Sequence, residues 1–177
     1  GLHALHLEDL SKSGLSDGII PETGINSVPS NEIQKHLGFT ISGLQSLLEF
    51  PYGNGYSRYK TFYEEDSTVS DDGSEKPKYL CKKGSGNHLY IPPGVRLYLN
   101  NPSIPLYITE GEKKSLKATQ EGIPCIAIPG LWNWSDGNKE LISDFNQIAL
   151  DGRTVYLVPD NDWLQPNRHG EQKNLKQ

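Results

Sequence analysis

The fold is decided by residues 106–130, which read LYITEGEKKSLKATQEGIPCIAIPG, and by residues 154–162, which read TVYLVPDND. Short apolar runs alternate here with stretches that have helical spacing. Continuous apolar strands joined by helices are typical of a parallel sheet with both faces covered. The predicted strands are 106–109, 124–128 and 154–158, and the predicted helices lie between Glu112 and Gly122 and at about 139–148.

Three acidic residues follow two of these strands. Glu110 comes after the first strand, and Asp160 and Asp162 come after the third. Ligands of open α/β sheets bind at the carboxyl ends of the strands, so these acids are predicted to meet if the two strands are neighbours. Clustered carboxylates repel one another unless a cation joins them, and Mg²⁺ prefers a few oxygen ligands completed by water and phosphate. We therefore predict a site for Mg²⁺ or Mn²⁺ at Glu110, Asp160 and Asp162.

The order of these motifs resembles a known signature. Ile-Thr-Glu110-Gly111-Glu112 followed by Val-Pro-Asp160-Asn161-Asp162 is similar to the Toprim pattern of primases, topoisomerases and some nucleases. The likeness is closer to the Toprim-like domain of plasmid- and phage-type replication proteins, which read roughly EGEKK-A-L-A, then G-I-P and P-G-x-W. The resemblance implies a Rossmann-like α/β fold and phosphodiester chemistry, with Glu110 as general base or acid. A complete Toprim domain continues with another helix and strand, so we expect an incomplete domain at 105–177.

The N-terminal part, residues 1–104, has a different character. Short helical patterns come first, each closed by glycine, and aromatic strand-like runs separated by turn residues follow. We predict an α+β region in which small helices precede an antiparallel meander, and it resembles the segment before Toprim in primases. The helical patterns lie at 2–10, 15–24 and 31–38, and the strand-like runs lie at 47–51, 56–63, 77–81 and 89–91.

Cationic and aromatic side chains are interleaved in this meander. Single-stranded nucleic acid needs positive charge along its phosphates and rings that stack on its bases. Arg58 and Lys78-Tyr79-Leu80 also match a short run in primases, which implies a template-binding role. For each lysine, the alternative is that it is only an exposed surface charge with no binding role. The candidates are Arg58, Lys60, Lys78, Tyr79, Lys82 and Lys83, with Tyr52, Tyr56 and Tyr59 between them.

A second group of candidates follows the first predicted strand. Gly111 permits a sharp turn and a close approach of backbone to phosphate. Lys113 and Lys114 are candidates for neutralising phosphate, with solvated helix lysines as the alternative. Many Toprim primases carry an acidic residue near this point, and this sequence carries lysine instead. Glu112 is expected only to favour the helix dipole.

Composition narrows the classes of function. The chain has 177 residues, a net charge of -5 and two cysteines, Cys81 and Cys125. This charge argues against a strongly basic nucleic-acid-coating protein, and the cysteines fit a reducing, cytoplasmic location. No apolar run approaches the roughly 18 residues that span a membrane. His3, His6 and Cys81 lack partners at zinc spacing, so no structural zinc is predicted. The absence of methionine leads us to expect a segment of a longer protein.

These observations favour Mg²⁺-dependent, primase-like nucleotidyl transfer on a single-stranded template. The chain would belong to a plasmid, phage or mobile-element replication protein whose partners are single-stranded DNA, nucleotides and a helicase. A Toprim nuclease that uses water as nucleophile is one alternative. A non-catalytic nucleic-acid-binding module is another. Trp132 and Trp134 are predicted either to stack on a base or to cover the edge of the sheet.

Overall fold

The computed structural model describes residues 1–130 and 133–161. It has a mixed α/β fold in which a four-stranded antiparallel sheet is followed by a separate three-stranded parallel sheet. The mixed architecture predicted from the sequence is thereby confirmed. The helices are α1 (Ala4–Lys12), α2 (Ile20–Thr23), α3 (Ile33–Leu37) and α4 (Glu112–Gln120), and the strands are β1 (Asn26–Pro29), β2 (Leu44–Pro51), β3 (Ser57–Tyr63), β4 (Tyr79–Cys81), β5 (Leu106–Glu110), β6 (Cys125–Ile128) and β7 (Val155–Val158). Short 3₁₀ helices span Ser30–Glu32, Pro93–Tyr98 and Ser143–Gln147.

The antiparallel sheet has the order β1-β2-β3-β4, and each strand pairs with the next in sequence. This arrangement is the predicted meander, with two differences. Strand β1 was not predicted, because four residues ending in proline give little strand signal. Residues 89–91 were predicted as the last strand of the meander, and this was wrong. The backbone N–H and C=O of Tyr90 instead exchange hydrogen bonds of 2.9 Å with Ala127, next to the parallel sheet.

The parallel sheet has the order β6-β5-β7, so β5 lies at its centre. Thr109 of β5 is in register with Val158 of β7 and with Ala127 of β6. The three strands and α4 agree with the sequence pattern. Within residues 1–130 and 133–161, the predicted cover on both faces is incomplete at β7, where Tyr156, Leu157 and Val158 are exposed. The decisive point for the site is that β5 and β7 are direct neighbours.

The predicted helix at 139–148 was wrong. Lys139 has a positive φ of 66°, and Ile142 is extended with ψ 144°, so a helix cannot begin before the 3₁₀ turn at Ser143–Gln147. The side chain of Asp144 anchors this turn, because its Oδ2 accepts a 2.9 Å hydrogen bond from the Leu89 backbone N–H. Ile142, Phe145 and Ile148 are still buried, so the apolar spacing marked three core positions within a non-helical segment, but Leu141, which was also expected in the core, is exposed.

A shared core joins the two sheets. One apolar cluster unites residues from the N-terminal helices and β2 with residues from α4, β6 and the segment before β5. A second cluster lies within the parallel half, and a third lies between α3 and the antiparallel sheet. The two halves therefore fold against each other. The joining cluster consists of Leu10, Leu15, Ile20, Ile25, Leu48, Phe50, Tyr52, Tyr90, Leu116 and Ala127.

An ion cluster fixes helix α1 against both halves. The carboxylate of Asp9 pairs with Lys60 of β3 and, at 2.9 Å, with Lys113 of α4. Burial raises the pKa of Asp9, but the hydrogen bonds and charges of the two lysines outweigh that effect, so the pKa lies below its ordinary value. Burial lowers the pKa of Lys113, as does the charge of Lys60, while Asp9 opposes the shift.

We predict that Asp9→Asn lowers the free energy of unfolding at pH 7 by about 1 kcal/mol, because the two lysines lose a partly buried partner. The pKa of Asp9 in the folded protein lies below its ordinary value of 3.8. Stability from the cluster is therefore present above that value and is lost as the pH falls through the folded-state pKa. Urea unfolding from about pH 5 to about pH 3 should show a shallower pH dependence in the variant than in wild type. The exposed Asp17→Asn is the control, and parallel curves for Asp9→Asn and wild type would contradict the assignment.

Candidate functional site

Two of the predicted acids meet at the carboxyl edge of the parallel sheet. Glu110 is the last residue of β5, and Asp160 follows β7 by two residues. The backbone N–H of Asp160 donates a 3.1 Å hydrogen bond to Oε1 of Glu110. Parallel pairing of β5 with β7 produces this proximity across fifty positions of sequence. The third predicted acid, Asp162, lies outside the described residues.

Gly111 makes the sharp turn between β5 and α4. Its φ of 85° and ψ of 144° are values that residues with a Cβ rarely adopt. The turn starts α4 immediately after the strand and directs the next side chain, Glu112, towards the antiparallel sheet. Gly111 itself lines the cleft described below.

Glu112 is a buried charged residue at the junction of the two sheets. Only 1% of it is exposed. Tyr52 Oη donates a 2.7 Å hydrogen bond to Glu112 Oε1, and Arg58 Nη1 approaches Oε1 and Oε2 at 3.2 and 3.4 Å. The expectation that Glu112 only favours the helix dipole was therefore wrong. Its partners lie 54 and 60 positions earlier in the chain, so no local pattern could reveal them.

Arg58 is held on two sides. Glu112 pairs with one end of its guanidinium, and the ring of Tyr79 lies under it with the centroid 4.5 Å from Cζ. Burial lowers the pKa of Arg58, but the charge of Glu112 and its hydrogen bond to the guanidinium outweigh that effect and raise the pKa overall. Burial and the nearby Glu112 charge raise the pKa of Tyr79 to about 12. Both hydrogen bonds to Glu112 come from Nη1, although a guanidinium has five N–H donors.

A cleft of about 240 Å³ brings these groups together. Arg58 and Tyr79 contribute from the antiparallel sheet, and the edge of the parallel sheet contributes the opposite wall. Three cations and three carboxylates line it, so it suits a ligand that carries negative charge and binds a cation. The lining residues are Arg58, Tyr79, Glu110, Gly111, Glu112, Lys113, Lys114, Pro129 and Asp160.

The neighbouring lysines of α4 have different partners. Lys114 Nζ pairs with Oδ1 of Asp160 at the acidic edge. Lys113, although it lines the cleft, pairs with Asp9 and shares that carboxylate with Lys60. Lys114 is therefore the one of the two whose ammonium contacts a predicted metal ligand.

The remaining nucleic-acid candidates lie away from the cleft. Lys78, Lys82 and Lys83 are exposed on and beside β4, and Lys82 lines a second cleft of about 240 Å³ with Tyr56 and His88. Tyr52 and Tyr59 are buried, so their predicted interleaving as accessible stacking residues was wrong. Their rings instead belong to the core. Burial raises the pKa of Tyr59 to about 12, and the negative charge of Glu49 is the second cause. Trp134 is partly exposed, and Trp132 lies outside the described residues.

The acidic edge offers few ligands for a divalent ion. Within residues 1–130 and 133–161, no three His, Cys, Asp or Glu residues are grouped as a metal site. Glu110 and Asp160 supply two carboxylates at one edge. Mg²⁺ is commonly bound through one or two carboxylates, with water and substrate phosphates completing its shell. The residues present therefore fit a magnesium ion that is shared with a phosphate ligand.

Comparison with known proteins identifies relatives of both sequence and fold. A family described as "Domain of unknown function (DUF3854)" matches residues 96–176. "Gene 57 protein" of Mycobacterium phage D29 is 33% identical over 92 residues, which are 52% of this chain and 52% of the phage protein. The chain thus spans about half the length of that relative.

A solved structure is similar over most of the chain. It is the crystal structure of the Aquifex aeolicus primase, comprising zinc-binding and RNA polymerase domains, with a TM-score of 0.60 and 16% sequence identity. The match covers 89% of this chain and 43% of the primase chain. This chain shares the fold of part of a primase. Among the described residues, no helix has the length and apolar character to cross a membrane.

We predict that Glu112→Gln lowers the free energy of unfolding by about 3 kcal/mol, because Arg58 loses the charge that compensates its burial. Urea unfolding at pH 7 measures the loss. Glu121→Gln, an exposed substitution at the end of α4, is the matched control and should leave stability unchanged. Equal stability of the Glu112→Gln variant and wild type would show that the buried pair does not hold the two sheets together.

Proposed function

We propose that the chain carries a Toprim-type, primase-like site for Mg²⁺-dependent nucleotidyl transfer on a single-stranded template. The observation that supports it best is the cleft in which Glu110 and Asp160 face Arg58. Acids that suit a metal ion and a cation that suits phosphate lie within one volume. The fold shared with a primase and the similarity to a phage protein favour a role in replication of a plasmid, phage or mobile element.

In this proposal, Glu110 and Asp160 hold the ion, and Asp162 joins them by its place in the sequence motif. Bound Mg²⁺ would neutralise charge that develops at the α-phosphate of the incoming nucleotide as its bond to the leaving pyrophosphate breaks. A carboxylate oxygen of Glu110 accepts the proton of the attacking hydroxyl. Arg58 donates its remaining N–H groups to a phosphate oxygen, and the ring of Tyr79 keeps the guanidinium oriented. Gly111 allows phosphate to approach the backbone at the start of α4.

The template would bind along the antiparallel half, in the N-terminal region 1–104, while the region 105–177 carries the acids. Lys78, Lys82 and Lys83 are exposed there and would follow the phosphates, and Tyr79 offers a ring near the cleft. Lys60 and Lys113 contribute positive potential, although both contact Asp9. A helicase in the same replication protein is the expected partner.

A second candidate function is a nucleic-acid-binding module without catalysis. The observation that favours it is the ion pair between Lys114 and Asp160, since a lysine occupies a predicted metal ligand. Turnover separates the two functions. Binding of single strands without any turnover and without metal dependence would favour the module.

Glu110→Gln is expected to lower primer synthesis about 100-fold or more, because the general base and a metal ligand are lost together. The measurement is incorporation of labelled nucleotides on a single-stranded DNA template with Mg²⁺ or Mn²⁺. Single-strand binding in the absence of metal should not change, and Glu121→Gln is the control. Retained synthesis by Glu110→Gln would refute the role given to this residue.

Template binding by the exposed lysines predicts a specific salt dependence. In the double variant Lys82→Ala, Lys83→Ala, the slope of log affinity against log salt concentration for single-stranded DNA should decrease by about 1.4, or about 0.7 per lost phosphate contact. Fluorescence anisotropy with a labelled oligonucleotide measures it. The exposed Lys35→Ala on α3 serves as the control. An unchanged slope in the double variant would place the template elsewhere.

A further inference from the structure

Lys114 has a position that the proposed function alone does not explain. It is the third residue of α4, and its side chain reaches across the edge of the sheet to Asp160 Oδ1. The Lys114 side chain is 54% exposed and that of Asp160 is 42% exposed. Exposed pairs of this kind contribute little to stability. Structural need is therefore a weak reason for a lysine at this point.

The preceding lysine shows the difference. Lys113 pairs with Asp9, is only 18% exposed and joins α4 to α1. Two adjacent lysines thus have separate positions, one in a partly buried structural cluster and one on the acidic edge. Because Lys114 contacts Asp160 while Asp160 contacts Glu110, its charge lies where an added cation would bind.

A lysine ammonium is a compact charge on a flexible stem with three N–H donors. It is therefore able to exchange one oxygen partner for another without any change in the backbone. A phosphate that entered the cleft and paired with Arg58, which lines the same volume, would offer Lys114 such an oxygen partner. The ammonium of Lys114 would repel a divalent ion next to Asp160. A phosphate in the cleft would attract the same ammonium.

We propose that Lys114 is a resident cation of the acidic edge, which competes with a divalent metal ion for Asp160 and moves onto phosphate when phosphate enters the cleft. This inference rests on the proposed function, since it assumes that Asp160 is a metal ligand. It adds a regulatory consequence, because metal binds weakly until an anionic ligand draws Lys114 away. Metal and phosphate then bind with positive coupling.

The proposal predicts effects of opposite sign from one substitution. Lys114→Met keeps the length and apolar stem of the side chain but removes its charge. Affinity for Mn²⁺ alone, measured from the electron paramagnetic resonance of free Mn²⁺, should rise roughly fivefold. Affinity for inorganic phosphate alone, measured by calorimetry without metal, should fall roughly fivefold. A structural role would not produce these opposite changes.

Lys117→Met is the matched control, because Lys117 is on the same helix, is 40% exposed and pairs with Glu121. It should change neither affinity. Asp160→Asn in the Lys114→Met background should abolish the gain in Mn²⁺ affinity, which assigns the gain to this carboxylate.

Two outcomes overturn the proposal in distinguishable ways. If Lys114→Met binds Mn²⁺ no more tightly than wild type, while Asp160→Asn weakens Mn²⁺ binding, Lys114 is not a competitor and the metal site stands. If neither wild type nor Lys114→Met binds Mn²⁺ through Asp160, the metal site of the proposed function fails together with this inference.

Discussion

The buried ion pair between Glu112 and Arg58 is the interaction on which the cleft depends. A carboxylate that is 1% exposed loses most of its hydration, and only well-placed donors make its burial tolerable. Arg58 of β3 and Tyr52, which directly follows β2, supply those donors, while Glu112 itself belongs to α4. The pair therefore connects the two sheets at the wall of the cleft. Loss of either charge would leave the other buried without compensation.

A second cluster acts across the same boundary. Asp9 joins Lys60 of the antiparallel sheet to Lys113 of α4, so α4 is attached to the N-terminal half at two neighbouring positions. These attachments determine which side chains of the EGEKK motif have structural partners. Glu112 and Lys113 face the junction, while Glu110 and Lys114 face the acidic edge. One short motif thus builds both the support of the cleft and its acidic side.

The sequence predicted the elements whose signal is local. Strands β5, β6 and β7 are continuous apolar runs, and their alternation with α4 implied a parallel sheet in which Glu110 and Asp160 share an edge. Features that depend on residues distant in the sequence could not be predicted. The burial of Glu112 depends on Tyr52, which directly follows β2, and on Arg58 of β3, and the bridge from Tyr90 to Ala127 crosses from one half to the other.

The error at 139–148 has the same origin. Of the apolar residues at helical spacing, Ile142, Phe145 and Ile148 are buried as expected, whereas Leu141 is exposed. Spacing alone does not require a helix, because a loop that is fixed from its side chains can bury the same positions. Here Asp144 bonds the Leu89 backbone and contacts His88, and Lys139 takes a positive φ. Those constraints come from tertiary contacts that the periodicity of the segment does not contain.

We propose that the carboxyl edge of β5 and β7 binds a divalent ion opposite Arg58. The most direct test is anomalous X-ray diffraction from crystals of the chain equilibrated with Mn²⁺ and inorganic phosphate. The account predicts a Mn²⁺ peak about 2.1 Å from a carboxylate oxygen of Asp160, close to Glu110 and facing the guanidinium of Arg58. Mn²⁺ bound only elsewhere, with Lys114 still paired to Asp160, would contradict it.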